Sequence, residues 1–324
     1  DITDHLKKFE PYVVDMSKEP ITKLTDVMRP MMNTLARIHM RSEHFSATGS
    51  NRLVNLMKKI TNRLVSRCKE TLNEGQDNSL IWNQDPTILV EKIENCLRLY
   101  VLISLDNLAL QHRSLSLFTH THTHTHTQTN KNRYEAYQDA YREARDALLT
   151  KPRERQFEFS ETDVFDRYHR LCERLVCLLD MFSTSMQYRD LRLGSGTVVM
   201  REIGRRFEVS LNLFRDEEHD ILDFESTHAS RFDKDFKNFQ ENTVVPVEKE
   251  LMSTVHAAFE NTVSSIADSL RLLKRLRNVL RRDDFARVLN KRLRVIFNHY
   301  ARDLDIVETI YERDKETPIM ERDA

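Results

Sequence analysis

The chain has 324 residues, of which only five are glycine and seven proline. Strands and tight turns consume those two residue types, so their scarcity against average usage of about 7% and 5% argues for long helices with few corners. Charged residues make up 31% of the chain, yet the net charge is −1. That excludes a strong pull toward a polyanion or an anionic membrane, and it fits solvated helix faces of interleaved Glu, Lys and Arg.

The four cysteines, Cys68, Cys96, Cys172 and Cys177, have no framework spacing, so a disulfide scaffold is excluded and a reducing setting expected. No apolar run reaches the length that a bilayer demands; Leu99 to Ile103 is among the longest. The chain starts at Asp1 without a signal-peptide pattern and ends on Glu321-Arg-Asp-Ala324. Those ends read as the ends of a fragment.

In chain order, residues 1–20 are polar, punctuated by Pro11 and Pro20, and read as an irregular or partly helical lead-in. A first helix from Thr22 carries Leu24, Val27, Met31, Leu35 and Ile38, with Phe45 as a possible last member. Pro30 lies inside that pattern and must either kink the helix or mark its start. After a turn at Ser46–Ser50, a second helix carries Leu53, Leu56 or Met57, Ile60, Leu64 and Cys68, and ends near Asn73-Glu-Gly75. Residues 76–86 form a loop with the only tryptophan, Trp82. A third helix from about Thr87 runs through Val90, Ile93, Leu97 and Val101.

Thr and His alternate without a break from Thr119 to Thr127. A CA dinucleotide repeat reads as Thr-His-Thr-His, and such repeats belong to non-coding DNA more often than to exons. With the patternless apolar run Ser104–Phe118 and the tail Gln128–Lys131, this reads as an insertion over residues 104–131, a retained intron or gene-model error. The rival readings are a harmless low-complexity loop or a histidine tract that holds metal loosely through His120, His122, His124 and His126.

The helical beat resumes with Tyr134, Tyr137, Tyr141 and Ala144 or Leu148, and stops before Pro152. Ser160-Glu-Thr-Asp163 is a capping box, followed by Phe165, Tyr168, Cys172, Leu175, Leu179, Phe182 and Met186. Gly194-Ser-Gly196 breaks the chain, and a helix over about 197–215 carries Val199, Ile203, Phe207 and Leu211. Phe224, His228, Phe232, Phe236 and Phe239 open a long helical series that Pro246 should bend. One helix follows with Val255, Phe259, Val263, Ile266, Leu270, Leu273, Leu276 and Leu280. The last, capped by Asp283 and Asp284 and stopped before Pro318, carries Phe285, Leu289, Leu293, Ile296, Tyr300, Leu304, Val307 and Tyr311. Such stripes must pack on each other or on neighbours.

The motifs of chemistry are mostly absent. Gly194-Ser-Gly196 has no Gly-Lys-Ser/Thr after it and no strand before it, so it reads as a turn rather than a phosphate loop. Glu225-Ser-Thr-His228 is one half of a di-iron motif without a second copy. His169 and Cys172 could be half of a zinc site, but no second pair completes it. Cys172 and Cys177 stand about 140° apart around a helix, which leaves Cys172 as a small core residue. The basic run Arg271–Arg277 with Arg281-Arg282 is a solvated face or a docking patch for an acidic partner. The Phe232, Phe236 and Phe239 stripe reads as core. The expected site lists are therefore empty: no catalytic, cofactor-binding or metal residue, and no cofactor.

One set of pieces, taken in order, resembles a known family. Ile221-Leu-Asp-Phe224, Phe232-Asp-Lys-Asp-Phe236-Lys-Asn-Phe239, Phe297-Asn-His-Tyr300 with Leu304, and Ile310-Tyr-Glu-Arg-Asp-Lys315 with Pro318 are similar to the N-terminal tail region of dynein heavy chains. Upstream, Phe157-Glu-Phe-Ser160 to Phe165, Arg174-Leu175 and Met181-Phe182-Ser-Thr184 look like the preceding helix of that family. The resemblance is good over residues 157–318, thinner but continuous from about residue 20, and closest to axonemal heavy chains of the outer-arm kind.

The resemblance implies an all-α fold of successive antiparallel helical bundles, elongated, with bundle helices over 21–103 and 132–318, the insertion at 104–131 and a truncated end at 319–324. It implies a tail that joins other dynein heavy chains, binds dynein intermediate and light chains, and sits in the axoneme of a cilium or flagellum. It implies no chemistry here, since the family's ATPase motor lies C-terminal to the tail. Nucleic acid, membrane and small-molecule substrates are not expected partners. The alternative is an unrelated helical scaffold or tether, which should show an internal repeat of about 100 residues; none is found.

Overall fold

The computed structural model describes residues 4, 7–41, 51–74, 78–111, 139, 161–191, 198–216, 220–261, 265–276 and 283–315. Among them there is no strand, and the fold is all-α. The helices are α1 (Glu10–Lys18), α2 (Ile21–Arg41), α3 (Arg52–Leu72), α4 (Pro86–Gln111), α5 (Glu161–Asp190), α6 (Val198–Asp216), α7 (Ala229–Phe239), α8 (Val245–Glu260), α9 (Ile266–Arg275) and α10 (Asp283–Asp314). They fall into two compact units, Asp1–Met186 with Arg215–Asp235, and Gln187–Phe214 with Phe236–Ala324.

In the first unit, α1 packs on α2, and α2, α3 and α4 pack pairwise on one another. The α2 stripe is Leu24, Met28, Met31, Leu35 and Ile38, all buried. It replaces the expected Val27, which is half-buried, by Met28. Pro30 does not move the start of the helix: it sits on the exposed side within the run Ile21–Arg41. Its carbonyl accepts from the Thr34 hydroxyl at 2.9 Å. The α3 stripe takes Met57 rather than Leu56.

That helix ends where expected, but the left-handed residue is Glu74, with φ 53°. Its carboxylate accepts from Lys92 Nζ at 2.6 Å, and Gln84 Nε2 donates to the terminal Leu72 carbonyl at 2.7 Å. The Gln84 amide thus satisfies a terminal carbonyl that would otherwise be left bare. Trp82 lies in a 3₁₀ turn, Asn78–Asn83, with its ring 5.6 Å from that of Phe182.

The third helix extends beyond the expected boundary. α4 continues to Gln111, with Leu89 rather than Val90 buried and with Ile103 and Ser104 also buried. No helix end therefore marks the junction at 103/104. The Thr-His tract and, apart from Asp139, the helix expected over Tyr134–Leu148 lie outside the described residues, as do Ser160, Gly194-Ser-Gly196 and Pro318.

α5 is buried on two sides. The expected Phe165, Tyr168, Cys172, Leu175, Leu179 and Phe182 are joined by Val164, Leu171, Leu178 and Met181. It joins α3 through the Thr61 hydroxyl, which donates to the Val164 carbonyl at 2.8 Å.

In the second unit, Tyr188 and Phe207 stack with centroids 4.5 Å apart at 21°. Phe207 also meets Phe239 at 5.9 Å, and Phe214 meets Phe239 at 5.3 Å. The α6 stripe is Met200, Ile203, Phe207 and Phe214; the expected Val199 is exposed and Leu211 only half-buried. Phe224 and His228 precede α7 rather than lying on it. Between α7 and α8 the chain widens into a π turn, Gln240–Val244, just before Pro246. A proline lacks the amide and crowds the carbonyl four residues back, and the wider turn accommodates both effects.

The single helix expected from Val255 to Leu280 is two. α8 ends at Glu260, and α9 begins after Ser265, whose hydroxyl accepts from the Asp268 amide at 3.2 Å. The Ser265 cap fixes the start of α9, since a serine side chain competes for backbone amides. Ser265→Ala should cost the protein about 1 kcal/mol, the usual loss of an N-cap. Ser265→Asp should keep that stability. Faster amide exchange confined to α9 in the alanine variant, read by mass spectrometry, checks the cap; unchanged exchange would remove it as a stabilising feature. α9 packs on both α8 and α10.

Candidate functional site

The most interconnected polar site lies on α5 in the first unit. Arg174, with its side chain only 3% exposed, donates to the carbonyls of Ile221 at 3.1 Å and Ala229 at 3.2 Å and to Asp233 Oδ1 at 3.0 Å. Its guanidinium lies over the Phe232 ring, 3.9 Å from the centroid. Burial pulls the arginine below its usual basicity, and Asp233 works against that pull. The planar fork serves the two carbonyls and the carboxylate from two separate nitrogens, a spread that the single nitrogen of a lysine lacks. The effect is to hold the irregular segment 220–228 against α5. Arg174, Ile221, Phe232 and Asp233 all belong to the pieces that carry the family resemblance, so those letters report a structural clasp.

Beside it, Arg167 grips Glu225 with both nitrogens, at 2.5 and 2.9 Å, and Lys69 stands 3.6 Å from the same carboxylate and 4.4 Å above the Phe224 ring. The Arg167 guanidinium holds Glu225 below the usual carboxylate range. Asp223 is also held low: burial opposes its charge, but the Ser226 hydroxyl and the amides of Ser226 and Glu225 outweigh it. Glu225 and His228, weighed as half of a metal motif, lie in this turn rather than on a helix. Two facing helical copies are the geometry that di-iron chemistry requires, and Glu225 is already committed to cations.

The other weighed residues are likewise dispersed. Cys172 is buried, whereas His169 is half-buried with both ring nitrogens already facing neighbours, Glu173 3.4 Å from Nε2 and Tyr100 Oη 3.4 Å from Nδ1. A cluster that the sequence did not reveal joins Cys68, Cys96, Cys172 and Tyr168, brought together from α3, α4 and α5. The Tyr168 hydroxyl donates to the Cys96 carbonyl at 3.3 Å and lies 3.3 Å from Cys68 Sγ. Contact with Cys68 and burial push the Cys96 thiol up, and burial pushes Tyr168 up. Thiols held protonated are poor nucleophiles and poor metal ligands. All four cysteines are free, and among the described residues no three His, Cys, Asp or Glu side chains are placed to hold a metal ion.

Helix faces remain. Phe232, Phe236 and Phe239 are core, as expected. The basic run is a solvated face where it is described: Arg271, Lys274 and Arg275 are exposed, and Arg271 pairs with Asp268 at 2.9 Å. The α10 stripe divides. Phe285, Leu289 and Ile296 are buried, but Tyr300, Leu304, Val307 and Tyr311 are half or more exposed. Among the described residues, no helix is long and apolar enough to cross a membrane.

An all-α chain, clasped by a buried arginine and presenting helix faces, is the class that the described residues define. The chain belongs to the dynein heavy chains: residues 1–102 and 101–324 match the family described as dynein heavy chain, N-terminal region 1. It is 28% identical over 322 residues to the flagellar outer arm dynein gamma chain of Chlamydomonas reinhardtii, covering 98% of this chain and 6% of that one. It is 25% identical to the flagellar outer arm beta chain of the same organism, over 334 residues, 100% of this chain and 6% of that one. Dynein axonemal heavy chain 5 of Rattus norvegicus is 22% identical over 308 residues, 95% of this chain and 8% of its own length. The chain thus spans about 6–8% of the length of these relatives. They are flagellar and axonemal chains, and the axoneme of cilia or flagella is the setting of this one.

Proposed function

We propose that this chain is a non-catalytic tail segment of an axonemal dynein heavy chain, which joins other heavy chains and carries intermediate and light chains on its helix faces. The observation that supports this most is the family match along the whole chain to the N-terminal region, not to a motor part. The clasp around Arg174 supports it too, because the residues shared with the family hold helices together instead of lining a cleft. The same reading takes 21–103 and 132–318 as the working helical parts and 104–131 as an insertion between them. The family match divides at residues 101–102, beside that insertion.

Binding tests the reading directly. The immobilised chain should retain purified axonemal dynein intermediate chain, light chain or a second heavy-chain tail, and a bare matrix should not. If it retains none of the three, the role as a binding segment falls.

A further inference from the structure

Among the described residues nothing covers the apolar face of the second half of α10. Every residue from Phe297 to Lys315 is exposed, including Phe297 at 60%, Leu304 at 50%, Val307 at 60% and Tyr311 at 64%. Phe297, Tyr300, Leu304, Val307 and Tyr311 follow one another at spacings of three, four, three and four. That is the a/d seam by which one helix receives another. In the first half of the same helix a neighbouring stripe, Phe285, Leu289 and Ile296, faces the core.

The charges nearest the centre of the seam are acidic. At about 100° per residue, Asp303 and Asp314 border one side of it and Glu308 and Lys315 the other, with Glu312 farther out, while Arg302 and Arg313 stand on the back. Arg313 reaches Asp314 at 2.7 Å and Lys315 pairs with Glu312. Asp303 and Glu308 meet no cation among the described residues. A second copy cannot supply one. In a parallel pair, Asp303 of one helix meets Glu308 of the other, and in an antiparallel pair it meets apolar Ile310. Like charges across a seam select against self-pairing, and opposite charges select a partner.

We propose that the α10 face from Phe297 to Tyr311 docks one amphipathic helix of a partner subunit, whose apolar stripe is bordered by lysine and arginine. The proposal rests on the reading of the chain as a dynein tail segment for the kind of partner, and on seam and charge for its chemistry.

The probe is a pair of designed helical peptides of about 21 residues, three heptads, with leucine at a and d. One carries Lys/Arg at e and g, its twin Glu. Fluorescence anisotropy should show the basic peptide binding at least about 10-fold more tightly than the acidic one, less so as salt rises. Leu304→Asp should weaken it by about 30-fold or more, because a charge enters the centre of the seam. Arg302→Glu, on the back, should leave it within about 2-fold. Leu304 is exposed, so the variant should fold, with unchanged helicity and unchanged amide exchange in α8 and α9 as the control.

Equal binding of the two peptides, or binding indifferent to Leu304→Asp, overturns the proposal. So does concentration-dependent dimerisation that Leu304→Asp abolishes, which would assign the face to a second copy. Retention of dynein subunits by wild type and Leu304→Asp alike would leave the tail reading standing and sink the docking face. Retention by neither, with the basic peptide still selected, would sink the tail reading instead.

Discussion

Arg174→Met should lower the stability of the first unit by about 2–3 kcal/mol, since a buried acceptor left without its donor costs about 1–3 kcal/mol, and of the two carbonyls it serves that of Ile221 is buried and that of Ala229 half-buried. The carbonyls of Ile221 and Ala229 lose their partner, and Phe232 loses the cation above its ring. The third bond contributes less. Asp233 is 64% exposed, so water replaces the guanidinium there, and Asp233→Asn should cost under about 1 kcal/mol. Arg174→Lys should fall between the two, because an ammonium keeps the charge but cannot span carbonyls on both sides of the segment. Trp82, packed on Phe182 of the same helix, reports the transition. Urea denaturation followed by its emission should show the order Met, Lys, Asn in falling loss. A methionine variant as stable as wild type would mean that the clasp orders the segment without stabilising it.

The second large effect lies in the other unit. Phe207→Ala should destabilise it by about 3–5 kcal/mol, the usual cost of emptying a buried phenylalanine site. Phe207 is 1% exposed and touches two other rings, Tyr188 and Phe239, so no single neighbour can close the cavity. Phe207→Leu fills much of that volume and should cost under about 1.5 kcal/mol. Hydrogen exchange gives the reading here, because the only tryptophan is in the first unit. At tenfold per 1.4 kcal/mol, amides of α6 and α8 should lose at least about 100-fold in protection in the alanine variant. A loss below about 10-fold in a folded protein would show that the ring cluster is not the core of this unit.

Several features were legible at the level of single helices and no further. The beat of α3, α5 and the buried half of α10 follows from apolar side chains recurring at the helical period, which is local information. Where two apolar residues stand side by side, as Leu56 with Met57 or Val27 with Met28, periodicity cannot choose. The choice depends on which neighbour arrives and from which side. The division at Asn261–Ser265 was missed because the stripe keeps its period across the break, although the serine cap was written there. Neither did the letters show that Arg174 is a clasp. An arginine reads as surface until tertiary structure brings two carbonyls and a ring to it. The cysteine and tyrosine cluster has the same origin, since its members come from three helices distant in sequence.

The sequence by itself determined an all-α chain, its helix beats and the membership of the dynein heavy chains, because composition, periodicity and ordered motifs are carried along one dimension. Tertiary structure alone decided which face of each helix is inside, which polar residues are clasps, and that the α10 stripe is half used. Burial is a property of neighbours, and an apolar stripe looks the same in sequence whether it is covered or bare.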